Sequence, residues 1–585
     1  ALSADPTLGG TLGADVTLTD ITLLVPTRRA VRGLTEAFLR ANDGRPMLLP
    51  RIQPLGEVEE DELSLLAGIE AEPGGAGAQL EIPPAIPALE RHLTLATLIE
   101  AWRNRADNLD LVGPLNAPQA SALAADLGRF LDLAETEEVE LSALEDLVPD
   151  TYAQNWQLTL EFLQIITQFW PDILAERGAI DPAARRKALL NAQCEAWQKN
   201  PPKGPVIAAG STGSIKAVAR LLATIAHLPQ GALVLPGLDQ CLDVESWEQL
   251  GPSHPQYGLK ELLDKLNVER ADVPLWPGTQ SDPTTPDGAR DQARETILSE
   301  LMRPAETTDQ WQQSVVALRP IADKALQGIR FIQASSPREE ATAIALLLRE
   351  VLETPGKTAA LITPDRNLAR RVAAELSRWE VEIDDSAGTP LNETGPMVFL
   401  RLLAEALAEG LAPVPLLALL KHPMAALGMA PADLRDLTRL LEREVLRGPR
   451  PAPGIAGLIE AVEGELVQRV QRNPNAAPTF EAPLRGLITR LEEAVGSLLS
   501  LYETAPSPEL SGHELIQGHI QVAERFATSE ETTGAERLWW GEAGETAAQF
   551  FGALLEADDK LADLTPQLFA RYIETLALGK MVRPR

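Results

Sequence analysis

The chain is poor in the residues that most often build compact metal or redox centres. Only two cysteines, Cys194 and Cys241, occur in 585 residues. Two thiols cannot make a four-cysteine zinc or iron–sulfur site, and they form no disulfide framework. Both are expected to be buried, reduced thiols. Aromatic residues make up 4%, so the cores must be built from aliphatic side chains. No apolar run is long enough to span a bilayer, and the first residues lack the basic and apolar regions of a signal peptide. These absences lead us to expect a cytoplasmic protein.

Positive charge is also short. With 52 Lys and Arg against 84 Asp and Glu, the formal charge is −32. That sign opposes non-specific attraction to nucleic acid, which rests on phosphate neutralisation. Any such contact must come from local basic clusters in a channel, or beside a more basic partner. None of the six histidines has a metal-like spacing. There is no Gly-x-Ser-x-Gly, no His-Glu-x-x-His and no carboxylate cluster that would hold Mg2+. The acidic run 57–62 and the pair Asp384-Asp385 read as surface or capping carboxylates. No catalytic residue is assigned.

What is present is alternation. The length corresponds to about three to four domains' worth of chain. Ile21-Thr-Leu-Leu-Val25 reads as a strand and 28–40 as an amphipathic helix. Residues 88–200 are helical throughout, with helices expected at 89–104, 118–133, 152–177 and 182–199. Strand 206–209, helix 215–227 and strand 232–235 make a βαβ unit and so a parallel sheet. Residues 271–325 read as a linker or loop broken by a helix near 289–302. A second α/β block follows: strands at 329–332, 358–362 and 381–383, and helices at 337–352 and 366–379. From 396 onward the pattern is helical.

Two clusters carry candidate chemistry. Thr27-Arg28-Arg29, with Arg32, lies just past the first strand, where guanidinium groups suit phosphate contact; a solvated helix face is the alternative. Gly210-Ser211-Thr212-Gly213-Ser214 follows a parallel strand, the place where α/β proteins bind ligands. Its hydroxyls and amides suit a phosphate, or Ser211 or Thr212 caps the next helix. Trp539-Trp540 reads as helix packing rather than a stacking platform. Gly356-Lys357-Thr358 lacks the upstream glycine of a phosphate loop and reads as a turn.

An ordered series of motifs resembles the alphaproteobacterial AddB subunits of AddAB helicase–nucleases. It comprises Leu23-Leu-Val-Pro-Thr-Arg-Arg29, Leu49-Pro-Arg-Ile-Gln-Pro-Leu-Gly56 with Glu59-Glu-Asp-Glu-Leu63, and Ala209-Gly-Ser-Thr-Gly-Ser214 with Leu235-Pro-Gly-Leu-Asp239. Ser253-His-Pro-Gln256, Ile362-Thr-Pro-Asp-Arg366, and Ile383-Asp-Asp-Ser-Ala-Gly388 with Pro390-Leu391 complete it. The resemblance implies an α/β fold of two RecA-like lobes of the UvrD-type superfamily 1 kind, each with a large α-helical insertion. The first lobe would comprise 1–87 and 201–325, interrupted by the insertion 88–200. The second, incomplete, would comprise 326–395, followed by its insertion 396–585. It implies a DNA-binding and scanning role in double-strand break repair without motor activity, Thr27, Arg28, Arg29, Ser211 and Thr212 as DNA-contact positions, and an AddA-like partner in a heterodimer. ATP and Mg2+ would serve the partner, and an iron–sulfur cluster would lie only in a carboxyl-terminal nuclease domain outside this chain. A free-standing α/β enzyme binding a nucleotide or phosphate ester at Gly210–Ser214 is the alternative.

Overall fold

The computed structural model describes residues 17–55, 82–104, 115–141, 159, 161–276, 284–472, 480–504, 509–557 and 560–583. The acidic run 57–62, the motif residues 59–63 and the start of the helix expected at 152–177 lie outside them. The protein is mostly helical and contains a four-stranded parallel sheet, an α/β arrangement. Two compact units form, 1–82 with 186–386, and 83–185 with 387–585.

In the first unit, the strands are β1 (Thr22–Val25), β2 (Arg51–Pro54), β3 (Val206–Ala209) and β4 (Gly231–Val234). They pair in the order β2-β1-β3-β4, all parallel. The longer helices are α1 (Arg28–Ala41), α2 (Pro182–Lys199, in this unit from 186 onward), α3 (Lys216–Ala226), α4 (Tyr257–Leu266), α5 (Pro286–Leu301), α6 (Trp311–Ala325), α7 (Pro337–Leu352) and α8 (Arg366–Ser377). The expected βαβ unit is β3-α3-β4.

The central strands are apolar on both faces because both faces are covered. Leu24, Val206 and Ala208 pack with Leu190, Cys194 and Trp197 of α2, and with Leu221 and Ile225 of α3. Ile21, Leu23 and Ile207 pack on the opposite side with Phe38 of α1 and Ile52. Ala217, Leu221, Leu222 and Ile225 recur at helical spacing and give α3 its buried face. Gly231 opens β4 where a Cβ would fall 1.7 Å from the Ile225 carbonyl oxygen, so only glycine lets the end of α3 turn so tightly into the strand.

Three sequence expectations require correction. The region 271–325 is more than a linker: its described part contains both α5 and α6. Its polar residues are spent on helix starts, with Thr285 accepting a hydrogen bond from the Gly288 N–H at 3.1 Å and Pro286 in the first turn. Segments 329–332, 358–362 and 381–383 form no strands. Helices α7 and α8 do form and pack through Ala341, Ala345, Val372 and Leu376, but a strand exists only through its ladder and these segments have none. Phe331 and Ile362 are 90% and 93% exposed. Finally, Cys194 is buried as expected whereas Cys241 is exposed, because it follows the polar turn after β4.

Among its described residues the second unit is mostly helical, with a short antiparallel pairing of Thr389–Pro390 with Met581–Val582 and isolated bridges between Ala85 and Ile180 and between Leu510 and Leu564. Helices expected at 89–104 and 118–133 occur as Ala88–Arg103 and Ala117–Glu137. A buried polar knot ties them. The Arg91 guanidinium lies 2.8 Å from Asp181 and 2.9 Å from Asp132, and donates to the Gly128 carbonyl. The Trp170 indole N–H donates to Asp181 at 2.9 Å. Burial raises the Asp181 pKa, against the pull of Arg91. His519 is fully buried, edge-on to Phe569 with ring centroids 5.1 Å apart. Burial pushes its pKa down to about 4, and burial with the charge of Lys580 does the same to His92.

Replacing Arg91 with Leu leaves the Asp181 carboxylate buried without its cation. Urea unfolding of Arg91→Leu should therefore show a loss of about 3–5 kcal/mol. The histidines predict an acid effect of defined sign. Their folded pKa values lie below the ordinary 6.5, so the unfolded chain takes up protons first as pH falls. Stability is fully present above pH 6.5 and is lost between 6.5 and about 4, at about 1.4 kcal/mol per pH unit for each histidine. Thermal melts across that range should show a shallower pH dependence for His519→Leu than for the native chain.

Candidate functional site

The two clusters singled out in the sequence meet at one end of one sheet. Strands β1 and β3 are hydrogen-bonded neighbours running the same way, so the residues that leave them emerge side by side. After β1, Pro26 turns the chain and Thr27 caps α1, its hydroxyl accepting from the Ala30 N–H at 3.1 Å. Arg28 and Arg29 are the first two residues of the helix and are exposed. After β3, Gly210 takes a φ of +83°, and a Cβ there would lie 3.4 Å from the Pro26 ring. The two loops are therefore in close approach, and the carboxyl ends of parallel strands are where such sheets present ligand sites.

Within the turn Gly210–Ser214, the side-chain cap of α3, one of the two alternatives, is absent. The cap residue is Ile215, with no side-chain hydrogen bond. The Ser211 hydroxyl instead accepts from the Gly213 N–H at 3.3 Å, closing the turn on itself. Gly213 has a φ of +69°, and its missing Cβ would press on Leu262 and Leu222 at 3.3 and 3.5 Å. Ser211 and Thr212 are partly exposed and Gly213 is buried. The turn thus presents two hydroxyl-bearing residues over an apolar floor.

Residues far away in sequence join the first cluster. The Arg29 guanidinium donates to the Asp384 carboxylate at 2.7 Å. The adjacent Asp385 accepts two bonds from Arg366, at 2.5 and 3.2 Å. Arg366 opens α8, whose cap is Asp365, accepting from the Asn367 N–H at 2.8 Å. The aspartate pair is thus on the surface, as expected, but ion-paired rather than capping. Arg366 carries no sequence signal that sets it apart, since its partner Asp385 lies 19 positions away, and the Arg29–Asp384 pairing spans 355 positions, so neither pair has a local spacing to read.

The loop after β4 is held at the same end of the sheet by Ser253-His-Pro-Gln256. The Gln256 side chain donates to the Gly237 carbonyl at 2.8 Å and accepts from the Asp239 N–H at 3.1 Å. Asp239 in turn accepts from the N–H groups of Cys241 and Leu242. His254 contacts the Met302 carbonyl oxygen at 2.6 Å and accepts from the Gln256 N–H at its other nitrogen. Both residues position backbone. Gly356 turns with a φ of +81° into segment 358–362, the turn expected there. In the second unit Trp539 packs as expected, its indole donating to Glu524 at 2.8 Å, whereas Trp540 is 82% exposed. Among the described residues, no group of three or more His, Cys, Asp or Glu is placed to hold a metal ion, and no helix is long and apolar enough to cross a membrane.

The surface offers exposed guanidinium groups and hydroxyls beside tightly turned backbone, which is the chemistry of holding phosphate oxygens. Gln256→Ala should free the loop after β4. Hydrogen exchange at Asp239, Cys241 and Leu242 should accelerate by about tenfold, the loss of two hydrogen bonds, while β1 and β3 stay protected. No family model matches the chain, and no curated protein matches it.

Proposed function

We propose that the chain is a helicase-like, non-motor subunit that binds and scans DNA within an ATP-dependent helicase–nuclease of the AddAB type, acting in double-strand break repair for homologous recombination. The observation that carries this reading is the convergence of Thr27, Arg28 and Arg29 with Ser211 and Thr212 at the carboxyl ends of two neighbouring parallel strands. The motif series named above supports it. In this reading the parallel sheet belongs to a first RecA-like lobe, α7 and α8 belong to a second, and the helical stretches are their insertions. The site binds the phosphodiester backbone and leaves chemistry to others. ATP and Mg2+ belong to an AddA-like motor with which the chain forms a cytoplasmic heterodimer, and an iron–sulfur cluster to a nuclease domain elsewhere.

The net charge of −32 makes DNA binding by the chain alone weak. Fluorescence anisotropy with a labelled oligothymidylate at low salt should show Arg28→Ala with Arg29→Ala weakening binding by about tenfold. The slope of log affinity against log salt should become shallower by about one to two. Ser211→Ala with Thr212→Ala should weaken it less. The reading fails if the native chain does not bind, if the arginine substitutions leave affinity unchanged, or if the chain does not associate with its cognate motor. Binding of a free nucleotide that is abolished by the Ser211 and Thr212 substitutions would favour a phosphate-ester enzyme instead.

A further inference from the structure

The arginines best placed for phosphate are already occupied. Arg29 holds Asp384 at 2.7 Å, and Arg366 holds Asp385 through two bonds at 2.5 and 3.2 Å. A carboxylate and a phosphodiester offer a guanidinium the same pair of anionic oxygens at the same hydrogen-bonding distance. Two consecutive aspartates thus occupy two arginines from different helices with the oxygens a phosphodiester would offer them.

The pairs are also built to exchange. The Arg29 and Asp384 side chains are 54% and 75% exposed, and those of Arg366 and Asp385 are 43% and 33% exposed. Ion pairs this open to water contribute little to folding. Segment 381–383, which leads into them, has no strand pairing, so moving the aspartates breaks no ladder. A polyanion gains counterion release that a single aspartate lacks.

We propose that Asp384 and Asp385 form an electrostatic latch that occupies Arg29 and Arg366 in the absence of nucleic acid, and that the phosphodiester backbone of a single strand displaces them. The inference rests on the DNA-binding reading above and adds to it both a further contact residue, Arg366, and a means of regulation. The latch suppresses binding of isolated or short anions. A strand long enough to meet both arginines at once overcomes it.

The test is oligothymidylate binding by the full chain carrying Asp384→Asn with Asp385→Asn. Affinity should rise by about fivefold, and the gain should vanish when Arg29→Ala and Arg366→Ala are added. A fall in melting temperature with unchanged affinity would make the pairs mere structural ties and overturn the latch. If the arginine substitutions weaken binding while the asparagine pair does not strengthen it, the latch is wrong and the DNA-binding surface stands. If neither the native chain nor the asparagine variant binds, the DNA-binding reading fails and the latch fails with it.

Discussion

Everything proposed for the first unit depends on the parallel ladder between β1 and β3, in which Thr22, Leu23 and Leu24 lie opposite Val206, Ile207 and Ala208. About 180 positions separate the two strands in sequence, and their pairing is what makes neighbours of a basic cluster and a hydroxyl-bearing turn. Parallel pairing demands that both strands end on the same side. Burial on both faces locks the register, because a slip of one residue would exchange Leu24 with Leu23 between two differently shaped cores. The close approach of Pro26 and Gly210 follows from that register.

Around this ladder the molecule spends its polar groups on holding loops. Gln256, His254, Asp239 and Arg270 satisfy backbone after β4, and Arg270 also lies 4.6 Å from the centre of the Trp247 ring. Arg303, nearly buried, joins Asp243, Glu300, Ser246 and Gln310. The second unit does the same with Arg91 and Asp181. A chain with few aromatics and two cysteines thus fixes its loops with buried arginine, which is always charged and presents five donors in a rigid fork. Arg28 and Arg29, by contrast, are exposed at the start of α1, and the Arg366 side chain is 43% exposed.

The net charge of −32 and the basic cluster are compatible because electrostatics at a binding surface is local. Screening confines exposed charges to about 8 Å at physiological salt, so distant carboxylates weaken association without altering which groups touch a phosphate. Asp384 and Asp385 are different: they are in direct contact. Their effect on the surface is specific where that of the bulk charge is diffuse.

Local signals were legible wherever the structure is local. The span of β3, the start of α1 at Arg28, α2 from Pro182, and α7 from Pro337 all follow from apolar periodicity, caps and proline position. The Thr27–Arg29 and Ser211–Thr212 clusters were visible as residues at strand ends. Tertiary structure decided the rest, because it depends on partners that no spacing encodes. Apolar composition at 329–332 and 358–362 made strand-like sequence, but a strand needs a neighbour and these have none. The helical stretches 83–185 and 387–585 join in one unit through apolar faces that are interchangeable to a pattern reader. The cysteines show the same division: their scarcity excluded a cysteine-based metal centre from the sequence alone, whereas only the fold buried Cys194 and left Cys241 in water. Sequence thus determined which residues could carry chemistry, and the ladder between β1 and β3, with the reach of Asp384 and Asp385 to Arg29 and Arg366, decided which of them meet.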